Sequence, residues 1–95
     1  VSFLVEENTA KRRFEILVDD ALGGFAAYTP RGETLVFTHT EVDGRFQGKG
    51  VGAALVRGAL DQVRARGGRV VAQCPFVAAF IERHPEYADL LADAA

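Results

Sequence analysis

The chain has 95 residues, enough for one domain with a single modest core, and we expect residues 1–95 to form that one domain. Its 48% hydrophobic and 25% charged residues suit a soluble globular chain and exclude a low-complexity one. A net charge of −2 gives no general reason to expect nucleic acid or an anionic membrane, and the single cysteine cannot close an internal disulfide. A reducing cytoplasm is therefore the simplest expected compartment. No apolar run approaches a membrane span, and no basic-then-apolar leader opens the chain.

In chain order, Val1 to Val5 alternates weakly and reads as a strand or an extended lead. Glu6 to Ala10 is polar and turn-like. After the basic run Lys11, Arg12, Arg13, the alternation of Phe14, Ile16 and Val18 predicts a strand with one buried face. Asp19-Asp20 starts a turn. Leu22 to Tyr28 reads as a strand in which Gly23 and Gly24 mark a bulge or a close backbone approach. Thr29-Pro30-Arg31-Gly32 is expected as a tight turn. Thr34 to Val42, rich in β-branched and aromatic residues, is the next strand.

Val51 to Arg66 has helical periodicity, with Val51, Ala54, Leu55, Gly58, Ala59 and Val63 on one stripe. Arg57, Asp61 and Arg64 fall opposite, and Gly67-Gly68 ends the helix. Arg69 to Gln73 reads as a short buried strand. Strand, helix and strand form a βαβ unit, so this strand should run parallel to Thr34–Val42. Pro75 is placed to begin a helix, expected to run roughly from Phe76 to Arg83. His84-Pro85 breaks it, and Glu86 to Ala94 reads as a final short helix. The fold class is α/β in the α+β sense: an antiparallel meander, then a βαβ unit with parallel central strands, then C-terminal helices.

The chemistry gathers around Asp43 to Leu55. Gly48, Gly50 and Gly52 stand at alternate positions, with Lys49 among them, where a strand turns into a helix. Such a turn leaves backbone N–H groups bare at the positive end of a helix dipole, which suits a phosphate or pyrophosphate. Glycine removes the Cβ that would hold a ligand away. Gly48-x-Gly50-x-x-Ala53 also fits a loose dinucleotide fingerprint, but such a domain needs more βαβ units and an acidic residue where Gln73 stands. A Walker A loop needs Ser or Thr after its lysine, and Gly50 follows Lys49. A flexible glycine-rich loop without a ligand is the plainest alternative.

Ligands favour the carboxyl edge of parallel strands. That edge collects His39, Glu41 and Val42 from one strand, the glycine loop, and Cys74 from the other. Strict alternation would put Phe37, His39 and Glu41 on one face.

The sequence resembles the GNAT superfamily of acyl-CoA-dependent N-acetyltransferases, whose signature Gln/Arg-x-x-Gly-x-Gly/Ala stands here as Gln47-Gly48-Lys49-Gly50-Val51-Gly52. More closely it is similar to the short single-domain branch of that superfamily. His39-Thr40-Glu41-Val42, Cys74-Pro75-Phe76-Val77 and His84-Pro85-Glu86-Tyr87 match that branch's other motifs, in order. The resemblance implies a truncated GNAT fold and acetyl-CoA as co-substrate, held in the notch between the two parallel strands. Its pantetheine amides would pair with the strand edge at Thr40 to Val42. Its pyrophosphate would lie on the N–H groups of Gln47 to Ala53, which include Gly48, Lys49, Gly50 and Gly52, with Lys49 or Arg45 near the outer phosphates. A backbone N–H near Val42 would meet the thioester carbonyl.

Three residues compete for the catalytic role. In the short branch the cysteine at the position of Cys74 is the suspected nucleophile or thiolate-protonating group, and a strand-to-helix site favours thiolate. A small buried core cysteine is the structural alternative. His39 is a candidate general base or an orienting group for Cys74. Glu41 is a candidate to deprotonate the amine through water. His84 and Tyr87 are expected to pin the final helix. Zinc on Cys74, His39 and His84 would lack a fourth ligand and any familiar spacing, so no metal is expected.

The chain departs from a full GNAT domain in lacking helices after its first strand and strands after the cysteine helix. Its acceptor site should therefore be shallow, open or completed by a partner. The expected function is transfer of an acetyl group to an amine, on a protein or a small molecule, by a monomer or weak dimer. A non-catalytic acyl-CoA-binding module is the alternative, and a Cys/His hydrolase lacks a third orienting residue.

Overall fold

A computed structural model describes residues 2–92 and shows one five-stranded sheet in the order β1-β2-β3-β4-β5. The strands are β1 (Phe3–Asn8), β2 (Arg13–Val18), β3 (Ala21–Arg31), β4 (Thr34–Val42) and β5 (Arg69–Ala72). The first four form the antiparallel meander, and β4 pairs with β5 in parallel. Helix α1 (Val51–Ala65) crosses between them, and α2 (Pro75–Arg83) follows β5.

Local chemistry explains the turns. Asp19 and Asp20 join β2 to β3 with φ of +48° and +73°, the left-handed pair that matches strand twist in a two-residue hairpin. The next hairpin turns on Gly32 at φ +61° and Glu33. The expected turn at Thr29–Gly32 is therefore corrected: β3 runs on through Pro30 to Arg31, with Pro30 opposite Leu35. Likewise Glu6 to Asn8 continues β1, because these residues pair with Arg13 to Glu15. Val1 of the expected first strand lies outside the described residues.

One core holds the sheet against α1 and α2. Phe14, Ile16, Ala26, Tyr28, Leu35 and Phe37 meet Leu55, Val56, Ala59, Leu60 and Val63 of α1 and Val77, Phe80 and Ile81 of α2. Val56 and Leu60 widen the expected stripe, since the helix packs against the sheet and also against the segments that follow β5. Each of the larger apolar side chains among these contributes about 1.5–3 kcal/mol of burial. Arg57, Asp61 and Arg64 are exposed, as their spacing suggested.

After α2, the expected helix Glu86–Ala94 is replaced by a 3-10 segment, Pro85–Leu90. Leu91 then bridges Val70 in parallel, and the Ala92 N–H donates to the Val70 carbonyl at 2.8 Å. The sheet edge thus captures backbone that helical propensity alone had claimed. Residues 93 and 94 of that expectation lie outside the described residues. Tyr87 is buried and donates to Asp61 at 2.7 Å, and Arg64 binds Asp89 at 2.9 Å, so this segment is fastened to α1.

At the far end, Glu7 of β1 accepts from the Tyr28 hydroxyl and, at 2.7 Å, from Arg66 after α1. Burial raises the Glu7 pKa, but the Arg66 and Tyr28 hydrogen bonds outweigh it and hold the carboxyl below its usual range. Tyr28 is pushed up to about 12 by burial and by its bond to Glu7. A depressed carboxylate stabilises the fold above its unfolded pKa, and that share is lost as pH falls through the folded value. Glu7→Gln should therefore cost about 1–2 kcal/mol near pH 7, and that cost should fade as pH falls through the folded carboxyl's lowered value. Urea midpoints of the two proteins measured across that range should converge at the acid end; parallel curves would sink the account.

Candidate active site

The β4–β5 pairing covers only Thr34–Phe37 against Arg69–Ala72. It closes with the Cys74 N–H donating to the Phe37 carbonyl at 2.9 Å. Beyond that point β4 continues alone to Val42, so the two parallel strands part into a notch.

A bulge makes the notch what it is. Ala27 pairs with His39 and Tyr28 with Phe37, which leaves Thr38 as an extra residue in β4. One extra residue moves every later side chain to the other face. The expected common face of Phe37, His39 and Glu41 is therefore corrected. Phe37 is in the core, while His39 and Glu41 project from the opposite face with side chains 61% and 63% exposed. Thr40 and Val42 turn toward the helices instead. The Asp43 N–H donates to Gly23 on β3 at 2.8 Å, so by strand alternation Thr40 and Val42 present N–H and C=O to the notch.

The turn into α1 completes one wall. Asp43 caps a 3-10 turn, Gly44–Phe46, by accepting from the Arg45 N–H at 2.9 Å. Gly48 and Gly50 then take φ of +78° and +76°, and a Cβ on either would enter open space. Gly52 is needed for a different reason: its Cβ would stand 2.7 Å from the Phe76 ring. Gly50 accepts the first helical bond from Ala54, and α1 has no side-chain cap and no acid in its first turn. Among the described residues no backbone acceptor meets the N–H groups of Gly48, Gly50, Val51, Gly52 and Ala53. They form the bare, positively polarised rim that the glycine spacing predicted.

A groove of about 470 Å³ runs along this rim, lined by Thr40, Val42, Gln47, Gly48, Gly50, Gly52 and Ala53, with Phe46 and Phe76 as its aromatic walls. Sequence reasoning missed both phenylalanines as lining residues. The signal was Phe76 in the first turn of α2, where an apolar side chain 44% exposed has no core to serve. Gln47 also donates to the Val42 carbonyl at 3.4 Å. Arg45 is tied to Asp43 at 3.0 Å and lies over Phe46, outside this lining. Lys49 lines an adjoining depression with Phe3, Val18 and Asp19, which shares Phe46 and Val51 with the groove.

Cys74 is the N-cap residue of α2 and is buried at 4% exposure. Its Sγ belongs to the core and lies 3.4 Å from Oγ1 of Thr40, which lines the groove. His39 Nε2 lies 3.3 Å from Glu41 across the sheet's other face and 6.0 Å, ring to ring, from Phe25. The cradle and the thiol therefore share one side of β4, and the imidazole and carboxylate share the other. No group of three or more metal-binding side chains occurs among the described residues. No helix among them is long and apolar enough to cross a membrane.

The family model described as GCN5-related N-acetyl-transferase matches residues 13–90. No curated protein sequence matches the chain at a significant level. Among solved structures, a GCN5-like protein from Staphylococcus aureus superposes with a TM-score of 0.70 at 19% identity, over 97% of this chain and 90% of its own. The ribosomal-protein-S18-alanine N-acetyltransferase from Escherichia coli gives 0.62 at 21%, over 78% of this chain and 52% of its own. Ard1 from Thermoplasma volcanium gives 0.55 at 22%, over 82% and 55%. The chain thus spans about half the length of these last two, and at such identities the likeness is one of fold. The sequence match over residues 13–90 makes this chain a member of the GCN5-related N-acetyltransferase family.

Proposed function

We propose that the protein transfers an acetyl group from acetyl-CoA to an amine, with CoA held in the groove between β4 and α1. The observation that carries this reading is the groove itself: unpaired strand edge, bare helix-start amides and open space beside Gly48 and Gly50 on one continuous surface. The fit is good in kind. Amides along pantetheine need strand-edge partners, which Thr40 and Val42 offer. A diphosphate needs convergent N–H donors, which Gly48, Gly50, Val51, Gly52 and Ala53 offer. Bound there, acetyl-CoA supplies an activated acyl carbon and a thiolate leaving group.

The chain's own residues divide the remaining work. The Val42 N–H donates to the acyl oxygen as it gains charge. The Cys74 thiol, steadied by Thr40, gives a proton to the departing sulfur. With His39 on the other face, no base adjoins Cys74 among the described residues, which favours proton donation over the nucleophilic role. An amine attacks only when neutral, and Glu41 takes its proton, directly or through one water, with His39 as the carboxylate's partner.

A thermal-shift comparison of acetyl-CoA, CoA, NAD and ATP tests the ligand. Stabilisation by the first two is expected, and a preference for NAD or ATP would overturn the assignment. Amine-dependent CoA release tests the reaction. Cys74→Ala should slow it about a hundredfold while leaving the acetyl-CoA shift in place. Acetyl-CoA binding with no release for any amine would leave only a binding module.

A further inference from the structure

The notch has a second side. A depression of about 200 Å³ on the sheet face away from the helices is lined by Leu22, Gly24, Phe25, Glu41, Val42 and Asp43. Val42 lines both this depression and the CoA groove, so the two meet through the tip of β4. No helix covers the face around Phe25, His39 and Glu41, which are half-buried or exposed.

The lining has one available charge. Both Asp43 carboxylate oxygens are engaged by the Arg45 guanidinium, at 3.0 and 3.3 Å. Among the described residues Glu41 has only His39 as an ionic neighbour, at 3.3 Å. Directly across the strands from Glu41 lies Phe25, with Leu22 three residues before it, 43% exposed and without a core to join. The far side of the Phe25 ring is covered by Arg13, 4.5 Å from the centroid and itself held by Glu15 at 2.8 Å. The open side of the depression therefore offers an apolar floor ending in a carboxylate. A long apolar stem tipped by a cation fits that order of surfaces.

We propose that this depression is the acceptor subsite and that it takes a primary alkylammonium group, with the stem on Leu22 and Phe25 and the nitrogen at Glu41. The inference rests on the acetyl-transfer reading and adds to it the class of amine and the face of approach. The acceptor enters over the bare sheet face while CoA lies on the helix face, and Val42 stands between them. A volume of about 200 Å³ suits a four- or five-atom stem. A free alkylamine and a lysine side chain present the same chemistry here.

The test is a titration of 15N-labelled protein, followed by NMR, with n-butylammonium chloride and, separately, with Nα-acetyl-lysine amide. 1-Butanol and glycinamide serve as controls. Both ammonium probes should shift the amides of Leu22, Phe25, Glu41 and Val42, and the controls should not. The probe that binds tighter identifies the source, free amine or polypeptide. Glu41→Gln should weaken binding about tenfold, and Leu22→Ser, at an exposed position, should weaken it several-fold. Shifts elsewhere, no shifts, or equal response to 1-butanol would overturn the subsite. These outcomes are read without acetyl-CoA, so the separate thermal-shift result decides the acetyl-transfer reading independently.

Discussion

Gly50→Val is expected to weaken acetyl-CoA binding at least about a hundredfold while the apo fold loses only about 1–2 kcal/mol. Gly50 caps α1 at φ +76°, where an L side chain is disfavoured, yet nothing in the protein lies within 4 Å of the added Cβ. The fold therefore meets a backbone cost alone. The ligand meets three: a β-branched side chain in the mouth of the groove, rotated amides, and the loss of convergent donors. Each charge-assisted hydrogen bond is worth about 1.5–3 kcal/mol, and every 1.4 kcal/mol is tenfold in affinity. Arg45→Ala makes the contrast, with an expected change of about threefold or less, because Arg45 is already committed to Asp43. Isothermal titration with both variants decides the matter. Equal losses for the two would show that charge and not backbone shape governs the site.

The second large effect is on stability. Gly24→Ala should cost about 3 kcal/mol, lowering Tm by roughly 12–24 °C for a domain of this size. A Cβ on Gly24 would stand 2.5 Å from the Glu41 carbonyl oxygen and 3.2 Å from the Val42 Cα. Both are backbone atoms of β4, so neither can swing aside, and β3 and β4 must separate at the tip that borders the notch. Gly44→Ala, where nothing lies within 4 Å, should stay within about 0.5 kcal/mol of the parent. Scanning calorimetry of the pair gives the comparison, and a Gly24→Ala protein that melts with its parent would refute the close approach.

Much of this was legible before any coordinates. The bounds of β4 and the start of α1 agree with the sequence reading, because β-branched content and 3.6-residue periodicity are strong local signals. Gly23 does mark a bulge: Ile16 pairs with Gly24 and Leu17 with Leu22, skipping it. The bulge at Thr38 had no such marker. Threonine sits comfortably in a regular strand, so nothing local says that the alternation breaks there. That single slip separated Glu41 and His39 from Cys74. Pro30 misled for a related reason. Its missing N–H suggests a turn, but β3 accommodates it as its penultimate residue, opposite Leu35 near the hairpin. The aromatic walls escaped because nothing in the sequence tells a groove phenylalanine from a core one until its neighbours are known. The last helix failed because an open sheet edge competes for backbone in a way no propensity records.

That edge has a consequence for how the molecule behaves at high concentration. An open sheet has two rims that can recruit strands from other molecules. Here the rims are defended differently. On β1 the solvent-facing carboxylate of Glu6 sets a like charge against any identical rim. On β5 the strand is only four residues long, and Leu91 and Ala92 occupy the Val70 position on its outer side. Uncontrolled fibre-like growth is thus opposed by repulsion at one rim and by scarcity of free backbone at the other.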